Sequence, residues 1–427
     1  MVGMRDVAKR AGVSVSTVSL VVNRTGYVSD AMRERVEKAM RELSYIPNEL
    51  ARNLYHDRTN LIGLIVPTIR HPFFAELTIH IQHALAQRGL RTMLCSTHDE
   101  ENGEATYVDM LRRHMMDGII MCAHTAHDPD YWTSINRPIV AFDRYIADGI
   151  PSIGSDHEQG GRIVADLLIR SGAKHVVMVG GPREQFYDRV DASGTRTSTT
   201  TFPTVRYYMT LEKLLSEAGI HHEYVAAGDV SEMAEYGKAM HWVCERVADG
   251  AFGGETIDAV VSSDLGAAYC VQEALRMGLE IPDQLQVISY DGTYIAHTAG
   301  MRITTVAQDL STLGTLLVEQ ISSSIDRQHA VDNKTADNNK PAENGIAGNN
   351  KHIDHNSIAN GSTLIDIADS NNASPSATSE LTHDSLINAT MHQLAFNHDS
   401  LPLDAASVPT LMDILVPVTL QEGETTK

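Results

Sequence analysis

The chain has 427 residues, 42% of them hydrophobic and 21% charged, with a formal net charge of −21. That is ample material for a small domain plus one or two larger ones, and no apolar run approaches the length of a membrane span, so no membrane-crossing helix is expected. The four cysteines, Cys95, Cys122, Cys244 and Cys270, lack metal-ligand spacing and read as reduced thiols, and the N-terminus enters a helix pattern with no export signal, which points to the cytoplasm.

The first element places Val7, Ala8 and Ala11 on one face of a short helix. Gly12-Val13 breaks it, and Ser14 can cap a second helix expected to bury Val15, Val18 and Val22. Ser29 or Asp30 caps a third, whose apolar stripe is Met32, Val36, Ala39, Met40 and Leu43, ending at Tyr45 before Pro47. A three-helix unit that projects its second helix from the turn is how side chains are inserted into a DNA major groove. The face offered is Ser16, Thr17, Ser19, Leu20 and Asn23. Before Asn60 there are 10 lysines and arginines against 7 carboxylates, so an otherwise acidic chain carries a basic head suited to phosphates.

From Asn60 the pattern alternates strand and helix. Strand-like runs lie at 61–67, 91–97, 117–123, 137–143 and 152–156, with amphipathic helices at 74–89 and 104–115 between them. A second series starts near His157: helix, KHVVMVGGP, helix, EYVAAGD, a helix to about Ala248, IDAVVSSD, LGAAYCVQEALRMG and QVISYDG. This is the rhythm of parallel sheets covered on both faces, repeated twice. A helix at 311–326 is followed by residues 328–408, rich in Asn, Ser, Ala, Asp and His and without periodicity, which read as a low-complexity insertion. His352 and His355 within it are too poor a pattern for a metal site, and no metal or other cofactor is expected. The pattern resumes at LMDILVPVTLQ.

The run DVAKRAGVSVSTVSLVVN, continued by RERVEKAMRELSYIPNELARNL, resembles the head of the LacI/GalR family of bacterial transcription regulators, densely from Asp6 to Leu64. The resemblance implies an all-α helix-turn-helix head at 1–46, a hinge helix at 47–58, and an α/β body at 59–327 and 409–427. That body is two doubly wound parallel-sheet lobes like a periplasmic binding protein, with chain crossovers near residues 157, 290 and the C-terminus. It implies DNA contacts from Arg5, Val15, Ser16, Thr17, Ser19, Leu20, Asn23, Tyr27, Asn48 and Ala51, with Leu54 wedged between base pairs in the minor groove. Leu20 stands where the family often has arginine, and it cannot make arginine's bidentate contact to guanine.

For the cleft between lobes, the resemblance implies an effector held by Phe73 and Phe74 (in HPFFAE, with His71 where the family has Asn), Asp143, Arg206, Ser263 and Asp291. Arg206 is followed by Met209 and Thr210 where the family has Gly and an aromatic. An inserted loop before it, within 187–204, offers Arg189 and Arg196 for the same role. Gly292 replaces a common second acid. Carboxylates, an arginine and flanking rings suit a sugar, with nucleobases the other ligand class of the family.

The implied protein is a homodimeric repressor of carbohydrate-use genes that binds pseudo-palindromic operator DNA under control of that effector. Co-repression and activation remain open. A sugar receptor would lack the basic head, and no P-loop, G-x-S-x-G, zinc spacing or dinucleotide fingerprint supports an enzyme.

Overall fold

A computed structural model describes residues 2–23, 25–46, 58–98, 103–125, 127–187, 200–229, 232–250, 256–338 and 413–427. In the head, helix α1 (Met4–Ala11) opens where the Gly3 N–H donates to the Asp6 carboxylate at 2.9 Å. It closes at Gly12, whose φ of 65° is the left-handed conformation that glycine adopts without steric cost. Helix α2 (Val15–Asn23) is capped as expected: the Ser14 hydroxyl accepts the Thr17 N–H at 3.0 Å. Ser29 precedes α3 (Asp30–Glu42) in extended conformation, without a side-chain cap bond.

Val7, Ala8, Ala11, Val18, Val21, Val28, Val36 and Ala39 form the head's core. Two expectations need correction. Val21, not Val22, completes the buried stripe of α2, because the step of three residues from Val18 keeps to the face while Val22 lies at its border. Val15 and Met32 are 44% and 41% exposed: each sits in the first turn of its helix, where the side chain projects beyond the packed region.

The first lobe is a six-stranded sheet in the order β11-β5-β4-β3-β1-β2, all neighbours parallel. Its strands are β1 (Leu61–Val66), β2 (Arg91–Ser96), β3 (Gly118–Met121), β4 (Ile139–Phe142), β5 (Ser152–Ser155) and, from the far end of the chain, β11 (Asp413–Val416). Helices α4 (Pro72–Gln87), α5 (Gly103–Arg112) and α6 (Pro129–Thr133) connect them. Leu77, Ile81 and Leu85 of α4 are fully buried at helical spacing, each worth about 1.5–3 kcal/mol relative to exposure. The start of β1 is pinned by Asp117, whose carboxylate accepts the backbone N–H groups of Thr59 and Asn60, both at 2.8 Å.

The second lobe repeats the plan with β6 (His175–Gly180), β7 (His221–Ala226), β8 (Ala259–Ser263), β9 (Gln286–Asp291), β10 (Thr304–Gln308) and β12 (Val418–Gln421), in the order β12-β10-β9-β8-β6-β7. Helices α7 (His157–Ser171), α8 (Val205–Glu217), α9 (Met233–Ala248), α10 (Asp264–Met277) and α11 (Ile295–Thr298) cover it. Asp258 plays the part of Asp117, accepting the N–H groups of Lys174 and His175 at 2.9 and 3.0 Å. One departure from an all-parallel sheet is β12, which runs antiparallel to β10 because it follows β11 after the single residue Pro417 and comes from the opposite lobe.

Helix α12 (Leu310–Asn338) returns to the first lobe, burying Leu313, Leu317, Val318 and Ile321 in the core beside α4. Gly314 permits the approach: a Cβ there would lie 3.1 Å from the backbone carbon of His80. The chain therefore changes lobe between β5 and α7, between β10 and α12, and between β11 and β12. The middle crossover lies at 308–310 rather than near 290, because β10 is a strand of the second lobe that the sequence reading passed over. Helix α12 also runs past residue 326, through the first residues of the expected insertion, whose remainder at 339–408 lies outside the described residues.

Candidate functional site: the head and the boundary between the lobes

On α2, Val15 and Ser16 are exposed and Thr17, Ser19, Leu20 and Asn23 are half-buried. The Ser14 hydroxyl bonds those of Ser16 and Thr17 at 2.7 and 2.9 Å, and Asn23 donates to the Ser19 hydroxyl at 3.2 Å, so the polar face is held in one arrangement. Leu20 spends part of its side chain on the head's core, and Gly26 lies against it. Arg5 is exposed, and Tyr27 is 92% exposed. Asn48, Ala51 and Leu54 lie outside the described residues.

Between the lobes, the strand ends bring together what the sequence keeps apart. Asp143 follows β4 and Asp291 ends β9; both are buried, and both have positive φ, 46° and 122°. Such a conformation in a non-glycine residue costs on the order of 1–3 kcal/mol and persists where the surroundings impose it, often at functional sites. Those surroundings are visible. Asp143 accepts the Ser155 N–H at 3.2 Å, the Ser155 hydroxyl donates to Gln308 Oε1 at 2.6 Å, and Gln308 Nε2 donates to Asp291 at 2.9 Å. The two aspartates, one from each lobe, are thus ends of one buried chain that passes through the first two crossovers.

A second strand of the network runs through His157, the first residue of α7. Its Nδ1 shares a hydrogen with the Tyr290 hydroxyl at 2.6 Å. Its Nε2 lies 3.0 Å from the other Asp143 oxygen, yet neither atom makes a hydrogen bond, because the two are out of line. Gly154 lies directly under the Asp143 carboxylate, where a Cβ would collide with it.

Burial holds the Asp291 carboxyl well above the usual carboxylate range, and Asp264, Asp143 and Glu76 nearby push it the same way, against the bond from Gln308. Asp264 is also raised by burial, although the hydroxyls of Ser289, Thr293 and Thr305 and the Thr293 N–H all bond to it. Asp264 is accordingly a fastener for the loop after β9. Burial lowers His71 to about 4, so its ring is neutral at physiological pH.

The remaining expected site residues fare differently. Arg206 is half-buried in the first turn of α8; its backbone N–H donates to the Pro203 carbonyl at 3.0 Å, and its guanidinium makes no hydrogen bond or ion pair among the described residues. Arg183 pairs with Glu212 through both oxygens at 2.8 and 3.0 Å, while Arg189 and Arg196 lie outside the described residues. Ser263 caps α10, accepting the Gly266 N–H at 3.4 Å. Phe73 and Phe74 are buried in the first lobe's core, Phe73 stacked on Phe142 at 5.8 Å. Ser155, His157, Gln308, His124, Arg144 and Phe202, all at the lobe boundary, carry no local sequence signal, since their partners lie far along the chain.

A three-helix head with an ordered polar face, joined to two lobes that share three crossovers and face each other with buried carboxylates, is the architecture of a helix-turn-helix regulator on a periplasmic-binding-type body. Models of known families match accordingly: bacterial regulatory proteins of the lacI family over residues 3–48, periplasmic binding proteins and sugar binding domain of the LacI family over 59–225, and a periplasmic binding protein-like domain over 165–339. The sucrose operon repressor of Streptococcus mutans is 33% identical over 76% of this chain and 93% of its own length. The ribose operon repressor of Halalkalibacterium halodurans is 32% identical over 75% and 91%. A crystal structure of the lac repressor dimer, bound to operator and the anti-inducer ONPF, matches with a TM-score of 0.63 at 25% identity, covering 77% of this chain and 93% of that one. The chain belongs to the LacI family of bacterial transcription regulators. These relatives are repressors, not enzymes, and among the described residues no helix is long and apolar enough to cross a membrane.

Proposed function

We propose that this protein is a cytoplasmic, dimeric repressor of carbohydrate-utilisation genes whose hold on operator DNA is set by a sugar-like effector bound between the lobes. The observation that carries the reading is the pair of buried, positive-φ aspartates, one from each lobe, joined through Ser155 and Gln308 across the crossovers. A polyhydroxylated ligand bridging Asp143 and Asp291 engages both lobes at once, with Arg206 at the start of α8 supplying a further donor from the second lobe. Its binding is thereby linked to the angle between the lobes. Linkage then fixes the reciprocal effect: an effector that releases DNA binds more weakly to the DNA complex, by the same factor.

In the head, Val15, Ser16 and Leu20 read base edges in the major groove, assisted by Thr17, Ser19 and Asn23, while Arg5 and Tyr27 meet the backbone. Asn48, Ala51 and Leu54 of the hinge occupy the minor groove between half-sites. Phe73 and Phe74 support the effector site from the core beneath it. Sucrose- and ribose-operon repressors among the relatives favour a sugar as effector.

The test is selection of bound duplexes from a random DNA pool by the purified full-length chain, followed by release of the selected duplex by a panel of mono- and disaccharides. Enrichment of a pseudo-palindrome released by one sugar supports the reading. Enrichment with no release by any sugar removes the carbohydrate assignment, and absence of enrichment with or without sugars removes the operator assignment.

A further inference from the structure

The ring that joins the two lobes is one that nothing above assigns. Phe202 lies in the connection leading into α8 of the second lobe, four residues before Arg206. Its ring stacks on the imidazole of His124 with centroids 4.5 Å apart and planes 13° from parallel. The guanidinium of Arg144 lies over the same ring at 4.9 Å. His124 follows β3 and Arg144 follows Asp143 after β4, so both partners belong to the first lobe. Elsewhere in the cleft region, the lobes also meet where the Tyr294 N–H donates to Glu76 at 2.9 Å.

We infer that Phe202 is a clasp across the cleft, which holds the lobes closed by stacking with His124 and Arg144 and must let go before a ligand can reach Asp143 and Asp291. The place of the contact gives it leverage. The crossover strands β5, β10, β11 and β12 occupy one edge of both sheets, whereas β6, which precedes the Phe202 connection, is three strands from β10. Three strand spacings amount to roughly 14 Å. On the other side, His124 and Arg144 follow β3 and β4, two and one strands from β5, so the stack lies at a radius of roughly 10 Å and an opening of about 25° about the crossovers parts the ring from His124 by ~4 Å, which ends the stack. A planar imidazole and a guanidinium attract the ring face beyond what an aliphatic side chain of similar bulk provides. The buried hinge network fixes where the lobes turn, and the clasp fixes how far they are turned at rest. The inference goes beyond the effector reading, since it concerns the chain without ligand and its test needs neither sugar nor DNA.

The test measures the distance between spin labels on the two lobes of the full chain, at Gln87→Cys and Glu217→Cys, the last residues of α4 and α8, both exposed, diluted with unlabelled chain. The four native thiols are buried and do not compete for label. Against this background, Phe202→Ala and Phe202→Leu are expected to shift the distance distribution away from that of the parent, towards the open pair, while Phe202→Trp retains it. His124→Ala, which leaves the second lobe untouched, gives a smaller shift in the same direction, and carries the test if circular dichroism shows that Phe202→Ala does not fold. A distribution unchanged in both alanine variants overturns the clasp. So does one restored by leucine, because apolar bulk rather than stacking would then account for it.

Discussion

Replacing Gln308 by leucine tests whether the buried chain between the aspartates is a mechanical link or an accident of proximity. Leucine has nearly the volume of glutamine, so no cavity is opened, but both of its hydrogen bonds are lost: the one accepted from Ser155 at 2.6 Å and the one donated to Asp291 at 2.9 Å. Each bond is worth about 1 kcal/mol net, and each partner left unpaired in a buried site costs ~1–3 kcal/mol, so the substitution should destabilise the fold by roughly 2–5 kcal/mol. Ser155→Ala removes only the first bond and should cost about 1 kcal/mol alone. In the double variant the shared bond is counted once, giving a coupling energy of about 1 kcal/mol. Urea unfolding of the four proteins, followed by circular dichroism with slopes compared, measures the cycle. Costs that add to within ~0.3 kcal/mol would refute the link, since residues that share no interaction behave that way.

Three further outcomes are expected. Burial works against the Glu223 carboxylate, but hydrogen bonds from His175 and Arg246 outweigh it and hold it at about 2. Its stabilisation is thus present above the ordinary glutamate value and is lost as pH falls towards 2. Because the side chain is 25% exposed and its partners are partly screened by solvent, Glu223→Gln should cost only ~1–2 kcal/mol at pH 7, and the gap in Tm to the parent should close between about pH 4.5 and 2; a gap constant through that window contradicts the pairing. The opposite sign applies to Asp291, raised by burial and by Asp264: its charged form is disfavoured in the fold, so its contribution is lost as pH rises through the folded value. Asp291→Asn should therefore melt above the parent at pH 8, by less at pH 5, while losing its response to effector; a lower Tm at pH 8 counts against it. Leu54→Ala should weaken binding to the selected operator at least ~10-fold and leave nonspecific DNA affinity unchanged, with equal losses in the two binding assays excluding a wedge.

Much of this architecture was legible because its signals are local. The head declares itself through Gly12, Ser14 and the spacing of valines, and the buried strands through runs such as Leu61–Val66. Strand β10 was not: it is a short run with no helix pattern before it, and the burial of its polar Thr304 and Thr305 is made possible by Thr425 and Asp264, which satisfy them from far along the chain. Missing that strand displaced the middle crossover. The cleft was half legible for the same reason. Asp143 and Asp291 stand at recognisable strand ends, but Ser155 and Gln308 are 153 positions apart, and no periodicity predicts such a bond. Phe73 and Phe74 show the converse: an aromatic pair beside a strand end is equally consistent with ligand and with core, and the packing against Phe142 places it in the core.

The position of β11 and β12 has a consequence for how the protein is made. Each sheet receives an edge strand from the last fifteen residues of the chain, and the two strands are separated by one residue. While the ribosome is still translating residues 339–412, β5 and β10 carry open edges, and neither lobe has its full set of strands. A message cut short anywhere in that stretch yields a head that is complete in sequence on a body that is not. Both lobes thus reach completion together, only once residues 413–421 have been added.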